Sequence, residues 1–287
     1  MITREQFTSR LKARTLPSLP LTVVALGEVV QDERCTVDRI LSILSKDPSL
    51  SATLLRLANS ALYAGEGSAL DLRTAVMRLG FDAVANLGTG AAVIRTLKGG
   101  IHLDALKLWQ HSVAVGLTAK GICILARRHG QAETAFLTGL LHDIGKIALD
   151  TCFPEDYATV LAQVAEGSPF VDAERSLLGL DHAEAGALLA ADWSFPPAIV
   201  EVIRDHHDPQ PGDFLPNLIH LCDLLVRTRI PMGPADRRLV VSLDSLPAFQ
   251  AVLAGSLQKD LDVERLTFSI DDEVDHALAF VETAFQA

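Results

Sequence analysis

Aliphatic residues recur at helical spacing along nearly all of this chain, and no run alternates apolar and polar side chains long enough to demand a sheet. Leu50, Leu54, Leu57 and Ala61 fall on one side of a helix, with Leu55 and Leu62 beside them. Val37, Ile40, Leu41 and Leu44 make a shorter apolar face upstream; Leu72, Ala75, Val76 and Leu79 make another downstream. Composition points the same way. Of 287 residues 49% are apolar but only 5% aromatic, so the core must be aliphatic, which suits helices packed on helices. The expected fold class is all-α.

Punctuation places the elements. Asp47-Pro48 pairs an N-cap carboxylate with proline at the first helical position. Leu16-Pro17-Ser18-Leu19-Pro20 reads as a stiff entry segment, Gly65-Glu66-Gly67-Ser68 as a turn, and Gly80 as a helix stop. A helical stretch is expected over 132–149, where Gly139 and Gly145 call for close packing. Asp181 followed by Glu184 predicts a capped helix running to about Asp192. Residues 193–197 break the chain, Pro197 restarts it towards His206, and Pro216 opens a helix carrying His220 and Asp223. Two or three more helices are expected from Met232 to Ala287.

Charge divides the chain. Residues 1–100 carry 12 Lys/Arg and 9 Asp/Glu, whereas residues 101–287 carry 13 and 27, and all nine histidines fall in that second part. Lys98-Gly99-Gly100 is the most linker-like point nearby, so the expected domains are 1–100 and 101–287, with the chemistry in the second. The net charge of −11 opposes the approach of phosphate backbones and anionic lipid, so neither nucleic acid nor membrane is expected as a partner. The short helices expected around Leu72 to Gly90 could mimic a helix-turn-helix, but no Lys/Arg cluster follows the turn. Cys35, Cys123, Cys152 and Cys222 are scattered and read as reduced thiols. The N-terminus lacks a signal-peptide apolar run, and Ser112 to Ala126, interrupted by Lys120, is too short to span a bilayer. A cytoplasmic location is expected.

Seven side chains in the second half are candidate metal ligands: His111, His142, Asp143, His182, His206, His207 and Asp223. Imidazole with carboxylate suits Mn, Fe, Zn, Co or Ni, and the wealth of histidine makes Mg the poorer match. One Asp can bridge two ions, and two such ions would leave a net positive site able to draw a phosphate. Adjacent residues on a helix diverge by about 100°, so His142 and Asp143 can converge only where a helix end points at the site. Taken singly, His111 and His182 read better as core or capping histidines than as ligands, and His206 and His207 could simply meet the negative end of a helix dipole. His102, His129, His220 and His276 fit no such pattern. Asn59-Ser60 reads as a polar pair satisfying backbone groups at a helix end, and Arg56 and Arg78 as solvated or as contacts for a nucleotide or acidic partner.

Trp109-Gln110-His111-Ser112, Gly139-Leu140-Leu141-His142-Asp143-Ile144-Gly145-Lys146, Asp181-His182-Ala183-Glu184-Ala185-Gly186, His206-His207 and Leu221-Cys222-Asp223 resemble, in order, the HD superfamily of metal-dependent phosphohydrolases. Asp47-Pro48-Ser49-Leu50, Arg56-Leu57-Ala58-Asn59-Ser60-Ala61 and Ala75-Val76-Met77-Arg78-Leu79-Gly80 narrow this to the HDOD branch, the HD-related output domain of bacterial signalling proteins, over roughly residues 16 to 230. The resemblance implies an N-terminal helical bundle packed against a C-terminal HD-type helical domain with a helical extension. It implies up to two divalent ions, one on His111, His142, Asp143 and Asp223, the other sharing Asp143 with His182, His206 and His207. Asp143 and Lys146 are the candidate catalytic residues, with Lys146 near a bound phosphate; on spacing alone Lys146 could equally be a surface lysine.

The chain departs from the catalytic branches. After the paired histidines it reads Asp208-Pro209-Gln210-Pro211-Gly212-Asp213, with no GYP-type loop of the cyclic-dinucleotide phosphodiesterases. Lys107 stands where some of those enzymes place a glutamate, which removes a third metal, and the Glu-Asp pair of alarmone hydrolases is absent. The resemblance therefore implies a regulatory output module with a signalling protein or a phosphate-bearing small ligand as partner. The alternative is an active phosphohydrolase or phosphodiesterase. Ala- and Leu-rich helical surfaces are compatible with a homodimer.

Overall fold

A computed structural model describes residues 1–13, 16–60, 63, 68–69, 71–97, 99–236, 239, 242–254, 256 and 263–285. The fold is all-α, and among the described residues there is no strand. None of the described helices is long and apolar enough to cross a membrane. The chain separates into two compact units, Met1–Pro17 with Gly99–Val274, and Ser18–Lys98 with Asp275–Ala287.

The first helix, α1 (Arg4–Lys12), opens on a capping box in which the Thr3 hydroxyl accepts from the Gln6 N–H and the Gln6 side chain accepts from the Thr3 N–H. It packs on α9 (Ile144–Cys152) and α12 (His182–Asp192). Phe7 and Leu11 bury fully or nearly so, which ties the N-terminal segment to the larger unit. The expected division at 100/101 is thus corrected at the chain's ends. Residues 1–17 belong with 99–274 because an amphipathic helix must bury its apolar face, and residues 275–287 cluster with 18–98.

The smaller unit contains α2 (Leu21–Val30), α3 (Val37–Leu44), α4 (Pro48–Ala58), α5 (Leu72–Leu79) and α6 (Phe81–Thr96). Asp47 accepts from the Leu50 N–H at 2.9 Å ahead of Pro48, and Asp71 accepts from the Thr74 N–H at 2.8 Å. Gly80, at φ +83°, separates α5 from α6. Leu26, Leu44, Leu50, Leu57 and Leu87 are fully buried, an aliphatic core as composition requires. Asn59 is structural: its amide donates to the carbonyls of Leu55 and Ala69 while its oxygen accepts from the Ala69 N–H. Apart from Asn86, the residues of α6 from Ala83 to Ile94 are buried, so it is a core helix of this unit. Ala61, Leu62 and the turn expected at 65–67 lie outside the described residues.

In the larger unit, α7 (Ala105–Leu125) packs along α8 (Ala132–Leu141), joined by a 3-10 turn at His129–Gln131. α10 (Pro154–Ala165), α11 (Phe170–Leu177), α13 (Pro197–Asp205), α14 (Phe214–Arg227) and α15 (Pro247–Ala254) follow. α14 starts two residues before Pro216, and α16 (Val263–Phe285) runs across the division between the units. The helix expected over 132–149 is interrupted at His142-Asp143, where α8 ends and α9 begins.

Two glycine contacts set the spacing around that interruption. A Cβ on Gly139 would lie 2.6 Å from the Gly116 Cα, so α7 and α8 touch backbone to backbone. A Cβ on Gly145 would overlap the His182 carbonyl oxygen, so the start of α9 lies against the start of α12. Gly139→Ala is expected to cost about 1–3 kcal/mol through overpacking, read from the urea midpoint. An alanine variant as stable as the wild type would contradict so close an approach.

Candidate metal centre

Five helix ends and one helix side converge in the larger unit. His111 projects from the second turn of α7, His142 and Asp143 from the α8–α9 break, and His182 from the first position of α12. His206 and His207 follow the end of α13, and Asp223 sits in the last turns of α14. The interruption after Leu141 is what lets two consecutive side chains face one place. All seven sequence candidates meet here.

They form two groups. Ligand atoms of His111, His142 and Asp143 lie within 4.8 Å of one another, as do those of His182, His206 and His207. Asp223 joins the first group, with Oδ1 3.1 Å from the His111 Nε2 and 3.9 Å from the His142 Nε2. Asp143 stands between the groups: Oδ2 lies 3.4 Å from the His142 Nε2, and Oδ1 lies 3.1 Å from the His182 Nε2. The carboxylate thus turns one oxygen to each side, as a bridging ligand must.

Backbone and side-chain acceptors fix the rings. His142 Nδ1–H donates to the Gly139 carbonyl at 2.6 Å, and His206 Nδ1–H to the Ile203 carbonyl at 2.7 Å. His206 does meet a helix-end carbonyl, as its position suggested, but only through Nδ1. In the neutral ring this leaves Nε2 with its lone pair directed into the site. The His111, His142 and His206 Nε2 atoms and the Asp143 Oδ1 are all buried and make no hydrogen bond of ordinary geometry, although Asp223 Oδ1 lies 3.1 Å from the first and His182 Nε2 3.1 Å from the last. Buried polar atoms are nearly always paired. Imidazole nitrogens and a carboxylate oxygen left in this way within the two groups are the kind of donors a divalent cation takes.

Electrostatics follow from this crowding. Burial, together with the nearby His142 and His182 rings, drives the His206 pKa down to about 3. Burial, His206 and His182 likewise hold His207 well below the usual range. Burial lowers His111 too, against the pull of Asp223. His182 differs: burial opposes its charge, but the Glu174 carboxylate and Asp143 outweigh it and raise the pKa to about 9. Flanked by two carboxylates, its Nε2 attracts positive charge, whether a proton or a metal ion. Burial also opposes ionisation of Asp143 and Asp223. His142, Lys146 and His182 around the one, and His111 and Arg227 beside the other, nevertheless hold both far below the ordinary carboxylate range.

Lys146 is not a surface lysine. It is 6% exposed, and its Nζ donates to the Asp143 Oδ2 at 2.6 Å and lies 4.7 Å from the centre of the Phe170 ring. A cleft of about 230 Å³ reaches the centre from outside, with Lys146, His182, His207 and Asp223 on its inner side and Phe170, Arg175, Arg227 and Met232 among its walls. Arg227 ties Asp223 (3.3 Å) to Asp236 (2.5 Å). Asp236 in turn accepts from the Met232 and Gly233 N–H groups on the cleft wall.

Glu174, Arg227 and Asp236 carry no motif spacing in the sequence, and their places beside the site follow only from the fold. Two histidines outside the pattern have ordinary partners. His102 meets Asp150 at 2.9 Å, and His220 Nδ1–H donates to the His206 carbonyl at 2.8 Å.

A family model described as HDOD domain matches residues 16–209. Among solved structures, an HDOD domain protein with unknown function from Geobacter sulfurreducens is 26% identical, covers 99% of both chains and superposes with a TM-score of 0.81. A Shewanella amazonensis SB2B protein described as "Putative phosphohydrolase" is 28% identical over 96% of this chain and 98% of its own, with a TM-score of 0.74. A Marinobacter aquaeolei VT8 protein described as "Putative signal transduction protein" is 27% identical over 94% of this chain and 60% of its own, with a TM-score of 0.71. An uncharacterised protein of Treponema pallidum (strain Nichols) is 26% identical over 202 residues, 67% of this chain and 38% of that relative's length.

The buried Lys146–Asp143 pair gives a direct test. Lys146→Met removes one partner and strands a buried carboxylate, so stability measured in a chelator is expected to fall by about 3–5 kcal/mol. A urea midpoint unchanged by the substitution would show that Nζ does not neutralise Asp143.

Proposed function

This chain belongs to the HDOD family, and from that premise we propose that it is a signal-transduction output module whose larger unit holds up to two divalent ions and takes a phosphate-bearing ligand in the adjoining cleft. The observation that carries the proposal is the set of inward-facing buried atoms that make no hydrogen bond of ordinary geometry, His111, His142 and His206 Nε2 and Asp143 Oδ1. Their chemistry fits Mn, Fe, Co, Ni or Zn better than Mg. His111, His142, Asp143 and Asp223 would hold one ion, and His182, His206 and His207, with Asp143 shared, the other. Ions so held supply positive charge for phosphate oxygens and lower the pKa of water.

The chain's own residues prepare the place. Lys146 sets an ammonium at the cleft floor beside the shared carboxylate, where it can serve a bound phosphate as a charge partner. Arg227 holds Asp223 at the inner side while Asp236 holds Arg227, which keeps the acid from turning into the cleft. Phe170 and Met232 supply apolar wall. Output passes to a protein partner, with the bound ligand as the signal. The relative described as "Putative signal transduction protein" supports this reading.

A second reading, hydrolysis of a phosphoester, is favoured by one observation: Lys146, which donates to the buried Asp143, lines an open cleft rather than a sealed core. The relative described as "Putative phosphohydrolase" supports it.

Elemental analysis of protein purified without chelator at neutral pH, where imidazoles are free to coordinate, is expected to find one to two transition-metal ions per chain. Less than about 0.2 per chain under those conditions would end both readings. Asp143→Asn, which removes a charge that both ions share, is expected to lose more metal than His207→Ala; equal retention would contradict the shared role. Turnover of phosphoester or cyclic-nucleotide substrates with Mn or Fe, abolished by Asp143→Ala, would decide for the hydrolase. Ligand binding without turnover would decide for the output module.

A further inference from the structure

Glu174, in α11, is fully buried, and neither motif spacing nor family resemblance marks it. Three donors surround its carboxylate, two of them from His182. Oε2 accepts from the His182 Nδ1–H at 2.6 Å and from the His182 backbone N–H at 2.9 Å. Oε1 accepts from the Tyr157 hydroxyl at 2.8 Å, and Tyr157 is itself fully buried on α10. The chain of contacts runs Tyr157, Glu174, His182, Asp143, and ends at the carboxylate that stands between the two ligand groups.

Capping would explain part of this. His182 is the first residue of α12, whose early N–H groups need acceptors, and Asp181 already serves the Glu184 N–H. A cap, however, needs only the backbone bond. The shorter bond goes to the ring, and it fixes the proton on Nδ1, so that Nε2 faces Asp143 Oδ1 at 3.1 Å and His207 Nε2 at 2.7 Å. A carboxylate behind a ligating imidazole sets its tautomer and orientation and makes its free nitrogen a better donor. His142 and His206 have neutral carbonyls in that place. His182 therefore differs from His142 and His206 in having a full negative charge at its back.

We infer that Glu174, backed by Tyr157, is a positioning residue that aims the His182 Nε2 and strengthens metal binding at the His182–His206–His207 group. The inference rests on the metal reading given above. In Glu174→Gln the side-chain amide could keep the geometry, its oxygen turned to His182 and its nitrogen to the Tyr157 hydroxyl, which can accept as well as donate. That substitution thus removes the charge while keeping the contacts.

The test is titration of chelator-stripped, full-length protein with Co(II), following its visible absorption and bound metal per chain, with melting in chelator as the check on folding. Wild type is expected to bind Co(II) saturably. Glu174→Gln, folded, is expected to bind about ten- to a hundredfold more weakly with an altered absorption band, and Tyr157→Phe to show a smaller loss in the same direction. Affinity and spectrum in folded Glu174→Gln equal to wild type would overturn the inference and leave Glu174 a helix cap. If Glu174→Gln does not fold, Tyr157→Phe carries the decision, and wild-type behaviour there overturns it. A wild type that binds no Co(II) would instead overturn the metal reading itself.

Discussion

The Asp143 carboxylate is 1% exposed, and a charge so placed is tolerable only if it is surrounded by donors and opposite charge. Much of the larger unit is arranged around that requirement. Lys146 reaches back one turn to one oxygen, His182 approaches the other, and His142 stands beside it. His142, His206 and His182 are held from behind, the first two by carbonyls at the ends of α8 and α13 and the third by the buried Glu174. Each of these helix ends gives a late acceptor to a histidine, and each such histidine turns its other nitrogen inward. The unsatisfied carbonyls that close a helix and the lone pairs that a cation needs are parts of one arrangement.

Packing and chemistry are coupled through glycine. Gly145 lets the first turn of α9 touch the His182 carbonyl, and Gly116 and Gly139 let α7 and α8 meet without side chains between them. Those approaches fix the separations of His111, the consecutive His142-Asp143 and His182, three places distant in sequence. A methyl group at any of these places would push apart the very helices that carry the ligands. Small residues in an otherwise Leu-rich helix are therefore as much part of the centre as the histidines.

The cleft shows why complete ligands alone do not define the chemistry. Its inner side is the ligand cluster, yet two of its cations, Arg175 and Arg227, are already committed to carboxylates, Arg175 to Asp181 and Asp208 and Arg227 to Asp223 and Asp236. Lys146 instead leans on a carboxylate that a metal ion would also claim. A ligand entering the cleft thus meets one cation whose partner can change and two that brace the walls.

Helical spacing and capping signals such as Asp47-Pro48 and Asp181 make the all-α class legible, because local hydrogen-bonding rules act over a few positions; the seven side chains are legible singly as able to ligate, and as one set only through the resemblance of the ordered His and Asp motifs to the HD superfamily. The sequence also placed a boundary near Gly99. It could not show that α1 returns to the larger unit, since burying Phe7 and Leu11 depends on contacts more than a hundred residues away. Nor could it show that the helix over 132–149 breaks at His142, that Lys146 is buried, or that Glu174 stands behind His182. Each is settled by which surfaces meet in three dimensions. A one-dimensional pattern can say that a residue is able to ligate, donate or cap, but only the packed structure decides which groups come close enough to bond to it.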